Sequence, residues 1–215
     1  MLGIHDLPLF IASGLLLNVT PGPDTLYIVG RSTTQGFRAG ATAALGIGTG
    51  AFVHVIGATL GVSALLAASA AAFTVVKWLG AAYLVCLGIT LLRAGFARRE
   101  PGRAERVPAV RPASLRTIFA QAFFTNVLNP KVALFFLAFL PQFVSPEAGS
   151  KALALLLLGV VFDVNGTLWN LFVAWSAAHV GARCRQGSRV TAWLHGCVGA
   201  AFVYIGARLA LARQG

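Results

Sequence analysis

Long uncharged apolar runs separated by short basic connections dominate this chain. Read as membrane-spanning helices of about 20 residues each, the runs fall at Leu7 to Gly30, Ala39 to Leu66, Ala71 to Leu92, Thr117 to Val144, Ala152 to Ala178 and Thr191 to Ala212. The pattern therefore predicts six spans. Ala39 to Leu92 carries only Lys77 as a charge and must divide in two, with a tight turn near Ala67 to Ala70. One helix of that length would overshoot the roughly 30 Å hydrocarbon core more than twofold. Lys77 then lies near an interface to which it can snorkel.

Composition turns this pattern into a fold class. Of 215 residues 57% are hydrophobic and only 11% charged, with mean hydropathy +0.78, too few charges to cover a water-facing surface. The expectation is an all-α integral membrane protein whose length leaves no room for an appended soluble domain. The formal charge of +11 sits in the connections, where a basic excess sets orientation, so nucleic acid is not an expected partner. Twelve arginines, Arg31, Arg38, Arg93, Arg98, Arg99, Arg103, Arg106, Arg111, Arg116, Arg183, Arg185 and Arg189, fall on one side of six spans. Only Lys77, Lys151, Arg208 and Arg213 fall on the other. The first side is thereby assigned to the cytoplasm and both termini to the outside. Residues 94–116, rich in Arg and Pro, form the one long linker, expected to be a loosely ordered cytoplasmic tether between residues 1–93 and 117–215. Cys86, Cys184 and Cys197 form no CxxC pair and signal neither a disulfide framework nor a metal site. The N-terminal stretch has no basic residue before Arg31 and is too long for a cleaved signal peptide, so it is expected to remain as the first span.

The two groups of three spans echo each other. Asn18-Val19-Thr20-Pro21-Gly22-Pro23 in the first span matches Asn126-Val127-Leu128-Asn129-Pro130-Lys131 in the fourth, 108 positions on. His54-Val55-Ile56-Gly57 resembles Asp163-Val164-Asn165-Gly166 at 109, and Gly80-Ala81-Ala82-Tyr83 resembles Gly199-Ala200-Ala201-Phe202 at 119. An odd number of spans per unit inserts the second copy upside down. The expected architecture is two inverted-topology three-helix repeats, a transporter signature.

The strongest helix breakers fall at equivalent places in the two units. Pro21-Gly22-Pro23 lies about 21 Å along the first span and Asn129-Pro130 about 18 Å along the fourth, both inside the bilayer core. Backbone freed there must be satisfied by protein or by water in a cavity. Each break reads as a helix restarting: Gly22 and Asn129 suit the N-cap, Pro23 and Pro130 the first helical position, and Asp24 the positive first turn. Two half-helix N-termini converging near the midplane offer a site for an anionic group such as a carboxylate. Asp24, Lys131, Asp163 and His54 are the ionisable groups well inside spans. Asp24 and Lys131 either close the breaks as a structural pair or hold a zwitterionic substrate. His54 and Asp163 are either polar glue between helices or, with Asp24, proton-coupling groups. Asn18 and Asn126 serve broken backbone or contact substrate. Gly46, Gly48, Gly50 and Gly57, like Gly80 and Gly88, read as helix-packing surfaces.

Taken together, Pro21-Gly22-Pro23-Asp24, Gly36 with Gly40 and Ala44-Leu45-Gly46-Ile47, Gly80-Ala81-Ala82-Tyr83-Leu84, and Asn129-Pro130-Lys131 followed by Phe139-Leu140-Pro141-Gln142-Phe143 resemble the LysE/RhtB family of bacterial amino-acid exporters over nearly the whole chain. The resemblance implies a six-helix inner-membrane permease exporting amino acids or close derivatives, driven by the proton motive force. Its PGP and NPK motifs map onto Pro21, Gly22, Pro23, Asn129, Pro130 and Lys131. The motifs that carry the resemblance do not extend to the arginine-rich linker or the Asp163 segment.

An enzyme is disfavoured, because no nucleophile, base and orienting residue occur at matching depth and no HExxH is present. A divalent metal-ion exporter using Asp24 and Asp163 is the alternative, weakened by the fixed cation of Lys131 at the same break. No cofactor is expected. Small-residue faces leave room for a homodimer.

Overall fold

A computed structural model describes residues 2–68, 111–145 and 147–180, together with isolated positions between 75 and 93 and between 200 and 207. The expected third and sixth spans, Lys77, Gly80 and residues 94–110 of the linker lie largely outside the described residues; the positions described within those two spans are helical.

The first expected span is two helices. Helix α1 runs over Leu7–Val19 and α2 over Pro23–Gln35. Proline supplies the break, since Pro21 and Pro23 have no N–H to give the preceding turn. Gly22 is the N-cap of α2, Pro23 opens it and Asp24 occupies its first turn, as the sequence predicts. Helix α2 is the more polar half. Its Ser32, Thr33 and Thr34 return their hydroxyls to the carbonyls of Ile28, Val29 and Gly30, so they need no water. Gly36 ends α2 with φ +80°, a conformation that favours glycine.

Helix α3, Phe37–Ala68, is unbroken and central. The fourth expected span is broken like the first, into α4, Leu115–Val127, and α5, Pro130–Ala138, followed by a 3-10 turn over Leu140–Phe143. The two halves bend by 50°. Helix α6 covers Lys151–Val180. Phe37–Gly61 and Lys151–His179 are each long and apolar enough to cross a membrane, and the α4–α5 pair makes a third crossing if counted as one broken span. Among the described residues the structure is helical, with one isolated bridge between Ile4 and Val144.

Two cores flank the breaks. One is aromatic: Phe10, Phe135, Phe136, Phe139, Phe143 and Phe162 bring α1, α5, the 3-10 turn and α6 together. The other is made of small residues, with Ala39, Ala43, Ala44 and Ile47 of α3 against Ile28, Ile118, Ala122 and Ala174. Gly46 and Gly50 explain how closely α3 and α4 pack. A methyl at Gly46 would lie 2.6 Å from the Phe119 carbonyl oxygen, and one at Gly50 2.7 Å from that of Phe123. Gly57 has nothing within 4 Å of such a methyl, so no packing contact among the described residues depends on it.

The end of the linker is ordered rather than loose. Gln35 pairs with both backbone groups of Ala113, and Arg31 donates to the Arg111 carbonyl. Ser114 caps α4, which therefore begins two residues before the expected Thr117.

Candidate functional site

Each break leaves a carbonyl without its helical donor, and a side chain from the other half of the chain supplies one. In a continuous helix the Leu17 carbonyl would accept from residue 21, but Pro21 has no N–H. Lys131 Nζ donates to that carbonyl at 2.9 Å and to the Thr20 carbonyl at 3.0 Å. The α4–α5 break shows a similar arrangement: the Asn126 carbonyl faces Pro130. His54 Nε2 lies 3.0 Å from it, and the Asn129 N–H reaches it at 2.9 Å. A carbonyl only accepts, so His54 donates and carries its proton on Nε2. Lys131, whose charge opposes the dipole of its own helix start, thus turns to the carbonyl end of α1, where a cation is favoured.

Asp24 is held by amides. Its Oδ2 accepts from Asn126 Nδ2 at 2.8 Å and from Asn129 Nδ2 at 3.1 Å. Asn129 works twice, because its Oδ1 also caps α5 by accepting from the Lys131 N–H. Asn126 is placed by the glycine stripe of α3: Gly46, Gly50 and His54 are spaced four apart, and Asn126 packs on Gly50.

The two helix starts are not equivalent. At α5 the Lys131 and Val132 N–H groups are taken by the side-chain and backbone oxygens of Asn129. The α5 start is therefore self-capped rather than open to an anion. At α2 the N–H groups of Asp24 and Thr25 have no partner among the described residues. Gly22 is extended there, with φ −156°, and a methyl on it would lie 3.9 Å from Lys131 Nζ. Glycine is thus not required at this position by backbone conformation.

A cavity of about 40 Å³ opens between the breaks and α6. It has room for a few waters, since one needs roughly 10–15 Å³. Asn18, Gly22, Asp24, Asn126, Asn129 and Lys131 line it from the breaks, and Asp163 from α6. Of the residues expected to bind substrate or couple protons, Pro21, Pro23, Pro130 and His54 are not in the lining. The prolines shape the breaks and His54 sits behind Asn126. Asn18 packs on Gly166, where a methyl would approach its amide to 3.1 Å. Asn18 Nδ2, Asp24 Oδ1 and Asn126 Oδ1 are buried without a hydrogen-bond partner among the described residues. Asp163 likewise makes no hydrogen bond or ion pair among them. Sequence reasoning missed Thr25, Thr167 and Asn170, which complete the polar wall, and read Gly48, which also lines the cavity, only as a packing residue. The usable signal was the helical spacing of Thr167 and Asn170 from Asp163.

Comparison with known proteins gives the family. The family model described as LysE type translocator matches residues 15–213. An uncharacterised membrane protein of Pseudomonas aeruginosa is 33% identical over 98% of this chain and 97% of its own length. A homoserine/homoserine lactone efflux protein of Salmonella typhi is 31% identical, over 95% of this chain and 96% of its own. A leucine efflux protein of Enterobacter sp. is 27% identical, over 97% and 96%. No solved structure matches the chain. With a family model spanning nearly its whole length, the chain belongs to the LysE translocator family of membrane transporters.

Proposed function

We propose that this chain exports an amino acid or a close derivative across the bacterial inner membrane. It works by alternating access of two inverted three-helix repeats, driven by inward proton flow. The observation that carries the reading is the interlock of two helix breaks around a polar cavity. It is supported by relatives named for homoserine and leucine efflux. An amino acid is larger than the cavity, so taking one up means parting its walls, and the half-helices are the elements free to part.

The substrate carboxylate belongs at the start of α2, where two N–H groups and the dipole face Lys131. The ammonium belongs on the unfilled acceptors, Asp24 Oδ1, Asn126 Oδ1 and the Asp163 carboxylate. Asp163 is the foremost of the three proton-coupling candidates. Asp24 is engaged by two amides and His54 by a carbonyl, whereas Asp163 stands in the cavity with no partner among the described residues.

The test is efflux from cells loaded with dipeptides, with external amino acids followed over time. Expression should speed the appearance of at least one amino acid, and Asp163→Asn, which removes an acceptor of both the ammonium and the proton, should abolish uphill export and weaken amino-acid exchange. Unchanged amino-acid efflux with raised tolerance to divalent metal salts would replace this reading with the metal-exporter alternative. The basic asymmetry supports outward termini, and external thiol labelling should modify a cysteine placed after Arg213 and spare one at Gly102.

A further inference from the structure

Beyond the charged groups, the cavity has a second polar wall. Asp163, Thr167 and Asn170 follow one another along one face of α6, four and three residues apart. Thr167 and Asn170 make no hydrogen bond among the described residues. For Thr167 this departs from what most threonines in the described helices do, Thr59 being another exception. Thr34, Thr42, Thr49 and Thr125 each return the hydroxyl to the carbonyl four residues back. Thr167 has the Asp163 carbonyl in that position and leaves it unused. Across the cavity, Gly48 of α3 keeps the space open. A methyl there would stand 2.5 Å from Thr167 Oγ1 and 3.6 Å from Asp163 Oδ1. Thr25 of α2 adds a second lining hydroxyl without a partner among the described residues. Inside a bilayer, polar groups are retained where water or a polar ligand meets them.

Resting on the amino-acid-exporter reading above, we propose that Thr167 and Asn170, with Thr25, form the pocket for the substrate's side chain. It selects a short side chain bearing a hydroxyl or carboxamide over an aliphatic one of the same shape. With the ammonium on Asp163, Thr167 and Asn170 lie about 6 and 10 Å further along the same face of α6, beside the cavity that would take the side chain. A site built to hydrogen-bond a substrate group rejects the analogue that lacks it far more strongly than an apolar pocket rejects a missing methylene, because its own polar groups are left unpaired.

Threonine and valine differ only by hydroxyl against methyl, and asparagine and leucine make a second matched pair. Proteoliposomes holding the full chain and loaded with equal concentrations of each pair give the efflux ratio directly. The wild type should release threonine at least about 10-fold faster than valine. Thr167→Val with Asn170→Leu should bring both ratios close to one while valine efflux is kept or raised, and Thr167→Ser should preserve them. Should the double variant fail to fold, the isosteric Thr167→Val alone is read for the same fall in the threonine ratio. A folded variant that loses all four substrates equally, or keeps the wild-type ratios, overturns the assignment. A wild type that carries amino acids with no preference for the polar member overturns the side-chain pocket alone. A wild type that carries none overturns the exporter reading and this inference with it.

Discussion

Pro21 creates a need that Lys131 meets, and this makes the break testable as a thermodynamic couple. Replacing Lys131 by Met keeps the length of the side chain and removes both donations, to Leu17 O at 2.9 Å and Thr20 O at 3.0 Å. Hydrogen bonds to a charged group are worth about 1.5–3 kcal/mol each in soluble proteins. Interhelical polar bonds in membrane proteins average about 0.6 and reach about 1.7 kcal/mol. The upper membrane value applies to a cation, so two bonds give roughly 3 kcal/mol. Water in the adjoining cavity recovers part, leaving an expected loss of about 2 kcal/mol. Pro21→Ala restores an N–H four residues after Leu17. In that background the cost of Lys131→Met should shrink by about 1 kcal/mol. The assay is a double-mutant cycle of equilibrium unfolding in bicelles on wild type, both single variants and the pair. Efflux should be lost in the pair even as stability returns, because the cation is gone. Additive effects within about 0.3 kcal/mol would refute the coupling.

The second break should behave as a weaker mirror of the first. His54→Leu should cost about 1 kcal/mol of stability and His54→Gln, which keeps a donor, less than half of that; equal stability of His54→Leu and wild type would mean that the Asn129 N–H alone satisfies the Asn126 carbonyl. Gly46→Ala and Gly50→Ala should each lower stability by about 1–3 kcal/mol, since the methyl meets backbone carbonyl that can move only by separating α3 from α4. Gly57→Ala, which meets nothing within 4 Å, should melt like wild type in the same thermal-unfolding series.

What the sequence made legible was local. Pro, Gly and Asn at the breaks act through their own backbone chemistry, so α1 and α2 divide at Pro21-Gly22-Pro23 and α4 and α5 at Asn129-Pro130 without reference to the rest of the chain. Who satisfies whom across the breaks was not legible. Asp24 and Lys131 invite pairing by charge, and the sequence carries no sign of the two asparagines that donate to Asp24 or the two carbonyls that accept from Lys131, all more than a hundred residues away in sequence. Arg31 shows the same limit. By position it reads as one more basic charge in a connection, yet only 4% of it is exposed, and its fork reaches Tyr27, Gln35, Gln121 and the Arg111 carbonyl. A guanidinium so enclosed ties α2 to the head of α4, and a lysine with its single point of charge would not reproduce that fork. Thr167 and Asn170 escaped notice because uncharged polar residues in an apolar run carry no pattern until Asp163 gives them a face to share.

Because the carbonyl ends of α1 and α4 are capped from the other half of the chain, by Lys131 and His54, separating the breaks costs these bonds, and a substrate can lower that cost only by replacing them. Lys131 is where replacement is chemically natural. Its ammonium holds neutral carbonyls, and a carboxylate arriving at the start of α2 is the stronger partner. Transfer of Lys131 to the substrate would leave the Leu17 and Thr20 carbonyls uncapped, so the last turn of α1 should loosen when the rest of the site tightens. Hydrogen exchange followed by mass spectrometry reads this directly. With a transported amino acid present, amides in residues 18–20 should exchange several-fold faster, although α6 around Asp163 exchanges more slowly. Thr20, whose N–H and hydroxyl both return to the Leu16 carbonyl, is the sensitive reporter of that turn. In Lys131→Met the α1 amides should already exchange fast and show no response to substrate. If protection across residues 18–20 rises with substrate in the wild type, Lys131 keeps its carbonyls during binding, and the carboxylate is held by the α2 N–H groups alone.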